Sequence, residues 1–223
     1  MKPIKVILLA ALVFGLSACA KNNQVSRNES VNAPFVGTKS VETVIAATTF
    51  NVRDVRVSVP DSLSVSEANI YLPSADIVWR EDFYGDRHEQ VAAIFKEGMT
   101  RGVKDLNGAQ AIYVDIEVKR FHSLTERARY TVGGIHSIKF VLVLRDAKTG
   151  ALIADPRLIK ADLKAYGGKR AVAAEHRGET QKVRITAHLA EVIKREIHAI
   201  EGELARKAND AVAELPINRP NAI

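Results

Sequence analysis

Cysteine is nearly absent: the 223-residue chain holds one, Cys19. That excludes an internal disulfide framework and a thiolate metal cluster. Aromatic residues make up 6%, with a single Trp, and no basic run carries interleaved aromatics, which excludes a nucleic-acid-binding surface. Long hydrophobic runs are also missing. The longest, Val6 to Leu16, is apolar apart from Gly15; its eleven residues rise only about 16 Å as a helix, roughly half the hydrocarbon thickness, too short for a permanent span. The motifs of common enzymes are absent as well. Gly167-Gly168-Lys169 lacks the upstream Gly and the following Ser or Thr of a phosphate-binding loop, and no dinucleotide fingerprint, nucleophile elbow, Ser-x-x-Lys or His-Glu-x-x-His occurs. No catalytic residue, metal or cofactor is assigned, and an enzyme is not expected.

What is present begins with an address. Lys2 and Lys5 precede the apolar run and no acid does, which is the layout of a secretory signal peptide. The run ends in Leu16-Ser17-Ala18-Cys19, which resembles the bacterial lipobox: Leu, two small residues, then the cysteine that is lipidated before cleavage. The resemblance makes Cys19 the lipid-attachment residue and implies three acyl chains. Two membrane signals already bind stably, so three anchor for good. Ala20 stands where an aspartate would signal inner-membrane retention, so the outer membrane, periplasmic side, is expected. Removing Lys2 and Lys5 with the signal peptide lowers the formal charge from +6 to +4, a mild excess suited to anionic envelope surfaces such as lipopolysaccharide or peptidoglycan.

Composition then divides the chain into a signal peptide (1–18), a lipidated Cys with a flexible polar tether (19–48), one domain (49–215) and a tail (216–223). Within the domain, Val55, Val57 and Val59 alternate as a strand that Pro60 closes. Asp86-Arg87-His88-Glu89 has capping-box spacing ahead of Val91, Ile94, Phe95, Met99 and Val103, which predicts a helix over 86–104. Ile112 to Val118 and Ile138 to Leu144 alternate apolar and polar as strands with one buried face. Asp146 to Gly150 reads as a hairpin turn, and Pro156 makes the returning stretch, 152–163, bulged or edge-placed. After a Gly167-Gly168 loop, Ile185 to Leu204 marks a longer amphipathic helix, running to about Ala213. The order strand, helix, three strands, helix predicts an α+β two-layer sandwich, a mainly antiparallel sheet with two helices on one face.

The connection Ser123 to Gly134 is the segment richest in recognition chemistry. Twelve residues is long for a hairpin loop, and Arg120, Arg127, Arg129 and Tyr130 would form a cationic, aromatic surface for carboxylate or phosphate. The competing reading is a solvated loop whose arginines pair with Glu117 and Glu126. His122 and His136 flank the same connection and are the candidates for a metal pair, against the reading of polar residues at a sheet end. Trp79, with Arg80, Glu81 and Asp82, is a weaker contact candidate.

The stretches Val57 to Leu63, Asp76 to Asp82 and Gln181 to Thr186 resemble an alphaproteobacterial envelope lipoprotein family of unknown function. The wider order from Val118 to Gly168 is similar to the small α/β sandwiches of outer-membrane accessory lipoproteins. The resemblance implies a fold and an address, and no catalytic residue. The expectation is a non-enzymatic lipoprotein that binds an envelope protein, peptidoglycan or lipopolysaccharide, or assists envelope assembly. The alternative is a cell-wall-acting enzyme or metal-binding protein using His122, His136 and nearby acids.

Overall fold

The computed structural model describes residues 49–214; the signal peptide, Cys19, the tether and the tail lie outside the described residues. The frame is the hairpin of β3 (Gln110–His122) and β4 (Gly134–Asp146), paired antiparallel with Val114 opposite Leu144, Ile116 opposite Leu142 and Val118 opposite Phe140. Every second residue of both strands is buried, because alternate side chains leave a pleated strand on opposite faces. A bulge between Val118 and Arg120 resets the pairing. It keeps Phe121 on the buried face, opposite Ile138, and turns Arg120 and His122 to the other.

Four more strands join this pair. β1 (Phe50–Ser58) and β2 (Ile77–Val78) both run parallel to β3 along the same edge. β1 is parallel because the chain returns to the sheet through α1 (Arg87–Val103), a crossover rather than a hairpin. On the far side, β5 (Arg157–Lys160) and β6 (Leu163–Ala165) pair antiparallel with β4. β5 starts directly after Pro156, where the edge strand was expected. The α+β sandwich therefore stands as predicted, with the β1 and β2 pairings as its parallel component. Two short helices, α2 (Glu126–Arg129) and α3 (Gly168–His176), occupy segments that read as loops, since neither is long enough to show an apolar period.

α1 and α4 (Gln181–Ala213) pack on one face of the sheet. Asp86 accepts from the backbone N–H of His88 and Glu89 and starts α1, as the capping-box spacing predicts. The two helices touch closely. A Cβ at Gly102 would stand 2.3 Å from the Ala190 carbonyl oxygen, and one at Gly98 2.9 Å from that of Thr186, so both positions admit only hydrogen. Phe95 sits between Phe121 and Phe140, with centroids 6.0 and 5.6 Å away, and Trp79 meets Phe121 edge-on at 5.6 Å. Edge-to-face pairs add about 0.5–1.5 kcal/mol each to the burial of the rings. At the hairpin turn, the Asp146 carboxylate accepts from the N–H of Lys148 and Thr149. The backbone donor of Thr149, first among these bonds, holds its pKa down to about 2, and Gly150 takes the positive φ of 73°.

The opposite face of the sheet stays half open to solvent. It presents Tyr113, Asp115, Glu117 and Arg120 from β3 and Ser137, Lys139, Val141, Val143 and Arg145 from β4.

This division between faces predicts a sharp contrast at two adjacent residues. Phe140→Asp places an unpaired carboxylate in a fully buried site and should cost several kcal/mol. Lys139→Asp, on the open face, should change stability by about 0.5 kcal/mol or less. Equal losses in urea unfolding would show that the register is wrong.

Candidate functional site

β1 enters at Phe50, opposite Gln110 at the start of β3, and the thirteen-residue β3 ends at His122, about 40 Å away at 3.3 Å per residue. The loop between β1 and α1 and the connection between β3 and β4 therefore meet at the end of the sheet remote from Phe50. Their junction is a network of charge. Arg129 is 8% exposed and its guanidinium reaches Glu81 at 3.0 Å and Glu175 on α3. Glu81 also accepts from the backbone N–H of Gln181 and Lys182, at 3.0 and 3.1 Å, so one carboxylate caps α4 and neutralises the buried arginine. Beside it, Asp82 accepts from the Trp79 indole N–H at 2.9 Å and pairs with Lys182 at 2.9 Å.

The predicted arginine surface is thus split. Arg129 belongs to the interior and offers nothing to a partner, which corrects its place in the expected binding set. The connection is no solvated loop either: Thr125 caps α2 through Ala128 N–H and its hydroxyl donates to the Ile70 carbonyl. Glu126 pairs with Arg80 at 2.6 Å, and although burial opposes it, that partner keeps its pKa below the usual value. Arg127 is exposed and lies over the Tyr71 ring, 4.7 Å from its centroid. Tyr130 is 46% exposed and its hydroxyl donates to Glu175 at 3.3 Å.

Arg120 lies apart from these, at the rim of a groove of about 380 Å³ lined by Ser64, Leu72, Pro73, Asp76 and His122. It donates to the Ala75 carbonyl at 3.2 Å and to His122 Nδ1 at 2.6 Å. Burial, then the neighbouring Arg120, lowers the His122 pKa, so the ring is a neutral acceptor. Asp76 stands 4.0 Å from Arg120 and is lowered mainly by the Ser64 hydroxyl.

His122 and His136 do not meet. His122 faces the groove, whereas His136 shares the buried face with Ile138 and is 0% exposed. Strand alternation puts them on opposite sides of the sheet, so no ion can be shared between them. Among the described residues no group of three metal-ligating side chains occurs. Burial, aided by Arg184, Arg129 and His188, lowers the His136 pKa to about 3, and neither ring nitrogen has a partner.

The feature that composition did not announce is apolar. Ile70, Tyr71 and Leu72 are 47, 50 and 77% exposed, Phe83 and Tyr84 are 97 and 87% exposed, and Val132 is 74% exposed. All stand on the two loops at this end. They are tied together through Arg80 and Arg87, which share Glu67, while Arg80 also holds Glu126. The signal was present in the irregular stretch 61–84 as apolar residues lacking either structural period.

Residues 50–213 match the model of a family of unknown function, DUF6778. The chain belongs to this family. No curated protein matches it. Among solved structures, the DUF6778 chain is similar to a candidate lipoprotein from Caulobacter crescentus CB15, at 16% identity over 50% of this chain and 83% of that one, TM-score 0.32. It is also similar to protein XCC0632 from Xanthomonas campestris, of family DUF330, at 14% identity over 71 and 88% of the two chains, TM-score 0.40.

The buried His136 gives the DUF6778 domain a defined acid response. Its folded pKa, about 3, lies below the ordinary 6.5 of the unfolded chain, so as pH falls below 6.5 only the unfolded chain takes up the proton. Stability then falls by up to about 1.4 kcal/mol per pH unit. His136→Leu should lose about 2 kcal/mol less than the parent between pH 7 and pH 5, read by urea unfolding at the two pH values. An identical acid loss in parent and variant would refute the assignment.

Proposed function

We propose that the protein is a lipid-anchored, non-enzymatic accessory module of the cell envelope, tethered through Cys19 to the periplasmic side of the outer membrane. Its working surface is the loop end of the domain. The observation that carries this reading is the gathering of Ile70, Tyr71, Leu72, Phe83, Tyr84 and Val132, all exposed, at the end of the sheet remote from Phe50, where the chain from Cys19 enters. Soluble domains seldom expose apolar side chains in such clusters unless a partner covers them. The surrounding Arg127 and the groove at Arg120 add polar contacts of the kind that fix register at an interface rim. The anchor is supported by the lipobox-like Leu16-Ser17-Ala18-Cys19; among the described residues no helix is long and apolar enough to cross a membrane.

A partner protein of the envelope is the occupant this surface suits, and the test has two arms. Cys19→Ala should abolish incorporation of radiolabelled palmitate; label retained at the parental level would refute the anchor. Leu72→Asp combined with Phe83→Asp should leave unfolding within about 1 kcal/mol of the parent, because both side chains stand in solvent. The same variant should lose the partners that the parent retains in crosslinked pull-downs from membranes. Every partner retained at parental yield would place the working surface elsewhere.

A further inference from the structure

The open face of the sheet carries a row of like charges that register forces together. Arg120 on β3 stands opposite Lys139 on β4, and Lys139 stands opposite Lys160 on β5. Directly paired residues on adjacent strands are about 5 Å apart, and like charges so placed are destabilising. Lys164, paired with Ile135 on β4, extends the row. The carboxylates of this face are already committed: Asp115 to Arg56 and Arg145, Glu117 to Lys119, Asp76 to Ser64, and Asp162, between Lys160 and Lys164, to the Ile138 N–H. Among the described residues, Lys139, Lys160 and Lys164 are left without an acidic partner. Exposed aliphatic side chains share the face: Ile135 at 60% opposite Lys164, Leu158 at 58% opposite Val141 and, farther along β4, Leu152 at 52% opposite Arg145, with Val141 and Val143 half-buried alongside.

We infer that this face docks on an anionic phospholipid surface, its lysines on the phosphates and its aliphatic residues in the headgroup layer. Charge decides between occupants. A second copy would bring the same row against itself. The chain's own segment 20–48 carries Lys21, Arg27 and Lys39 against Glu29 and Glu42, a net charge of +1, and cannot neutralise the row. The mixture of lysines and aliphatic side chains on an open sheet suits a flat interface whose rim is anionic and whose depth is apolar. The inference rests on the anchoring reading, since a tether from Cys19 keeps the face at high effective concentration beside the bilayer.

The test footprints lysines in the full acylated protein, incorporated into vesicles of phosphatidylcholine alone or of phosphatidylcholine with about one third phosphatidylglycerol. Each cation near an anionic leaflet is worth about a fivefold change in occupancy. Acetylation of Lys139, Lys160 and Lys164 should therefore slow at least about fivefold on the anionic vesicles, be restored by 0.5 M salt, and leave Lys104 and Lys194, on the helix layer, unchanged. Lys139→Glu with Lys160→Glu should remove the protection of Lys164. Equal acetylation of the three lysines on both vesicles overturns the docking. Protein that floats with neither vesicle overturns the docking and the anchor together; flotation with neutral vesicles without protection overturns the docking alone. Lysines open on anionic vesicles but covered in intact envelopes would assign the face to an acidic protein and overturn the lipid reading.

Discussion

The loop end of the domain depends on one carboxylate. Glu81 accepts two backbone N–H groups at the start of α4 and the guanidinium of Arg129, and so joins three segments distant in sequence: the stretch after β2, the β3–β4 connection and the last helix. A buried arginine is tolerated only where carboxylates answer it, because its desolvation costs several kcal/mol. With Arg129 fixed, α2 is fixed, and with α2 the carbonyl contact from Ile70 to Thr125. The apolar residues of both loops are held in the open by ions beneath them.

Much of the frame was legible in the sequence. Period-two alternation gave the β3–β4 hairpin its buried face, and the Asp86 cap and the three-and-four spacing behind it gave α1. The turn from Asp146 to Gly150 followed from its turn-forming residues, with Gly150 in the left-handed position that closes it. The parallel pairing of β1 and β2 was not legible, because a strand's apolar pattern says which face is buried and nothing about its neighbour. α2 is set by the Thr125 cap, and both α2 and α3 by burial of single alanines such as Ala128 and Ala171, signals too short for a period to register.

The candidate site was half legible. Arg127, Tyr130 and Arg120 were singled out and reach the surface, whereas Arg129, two residues from Arg127, faces inward because a short helix turns it toward Glu81. Sequence alone cannot tell a guanidinium that recognises from one that braces, since the same forked geometry serves both. The bulge at Lys119 has a similar effect: it moves Arg120 and His122 to the open face and leaves His136 behind the sheet, which separates two histidines that the linear spacing brought together.

A lipid anchor would give this architecture two adjoining contacts. The open sheet face and the loop end adjoin at Arg120, so a bilayer on Lys139, Lys160 and Lys164 and a protein on the apolar loops would meet there. That arrangement requires the loop end to hold its form, and a double-mutant cycle on Glu81→Gln and Arg129→Met, read by urea unfolding, tests it most directly. Glu81→Gln leaves Arg129 with Glu175 alone and Arg129→Met leaves Glu81 with its two backbone donors alone; each should cost about 2 kcal/mol or more, while the double variant should recover at least about 1 kcal/mol of the summed loss. Losses that add within about 0.5 kcal/mol would show that the two residues act independently and that the joint is not what holds the loop end together.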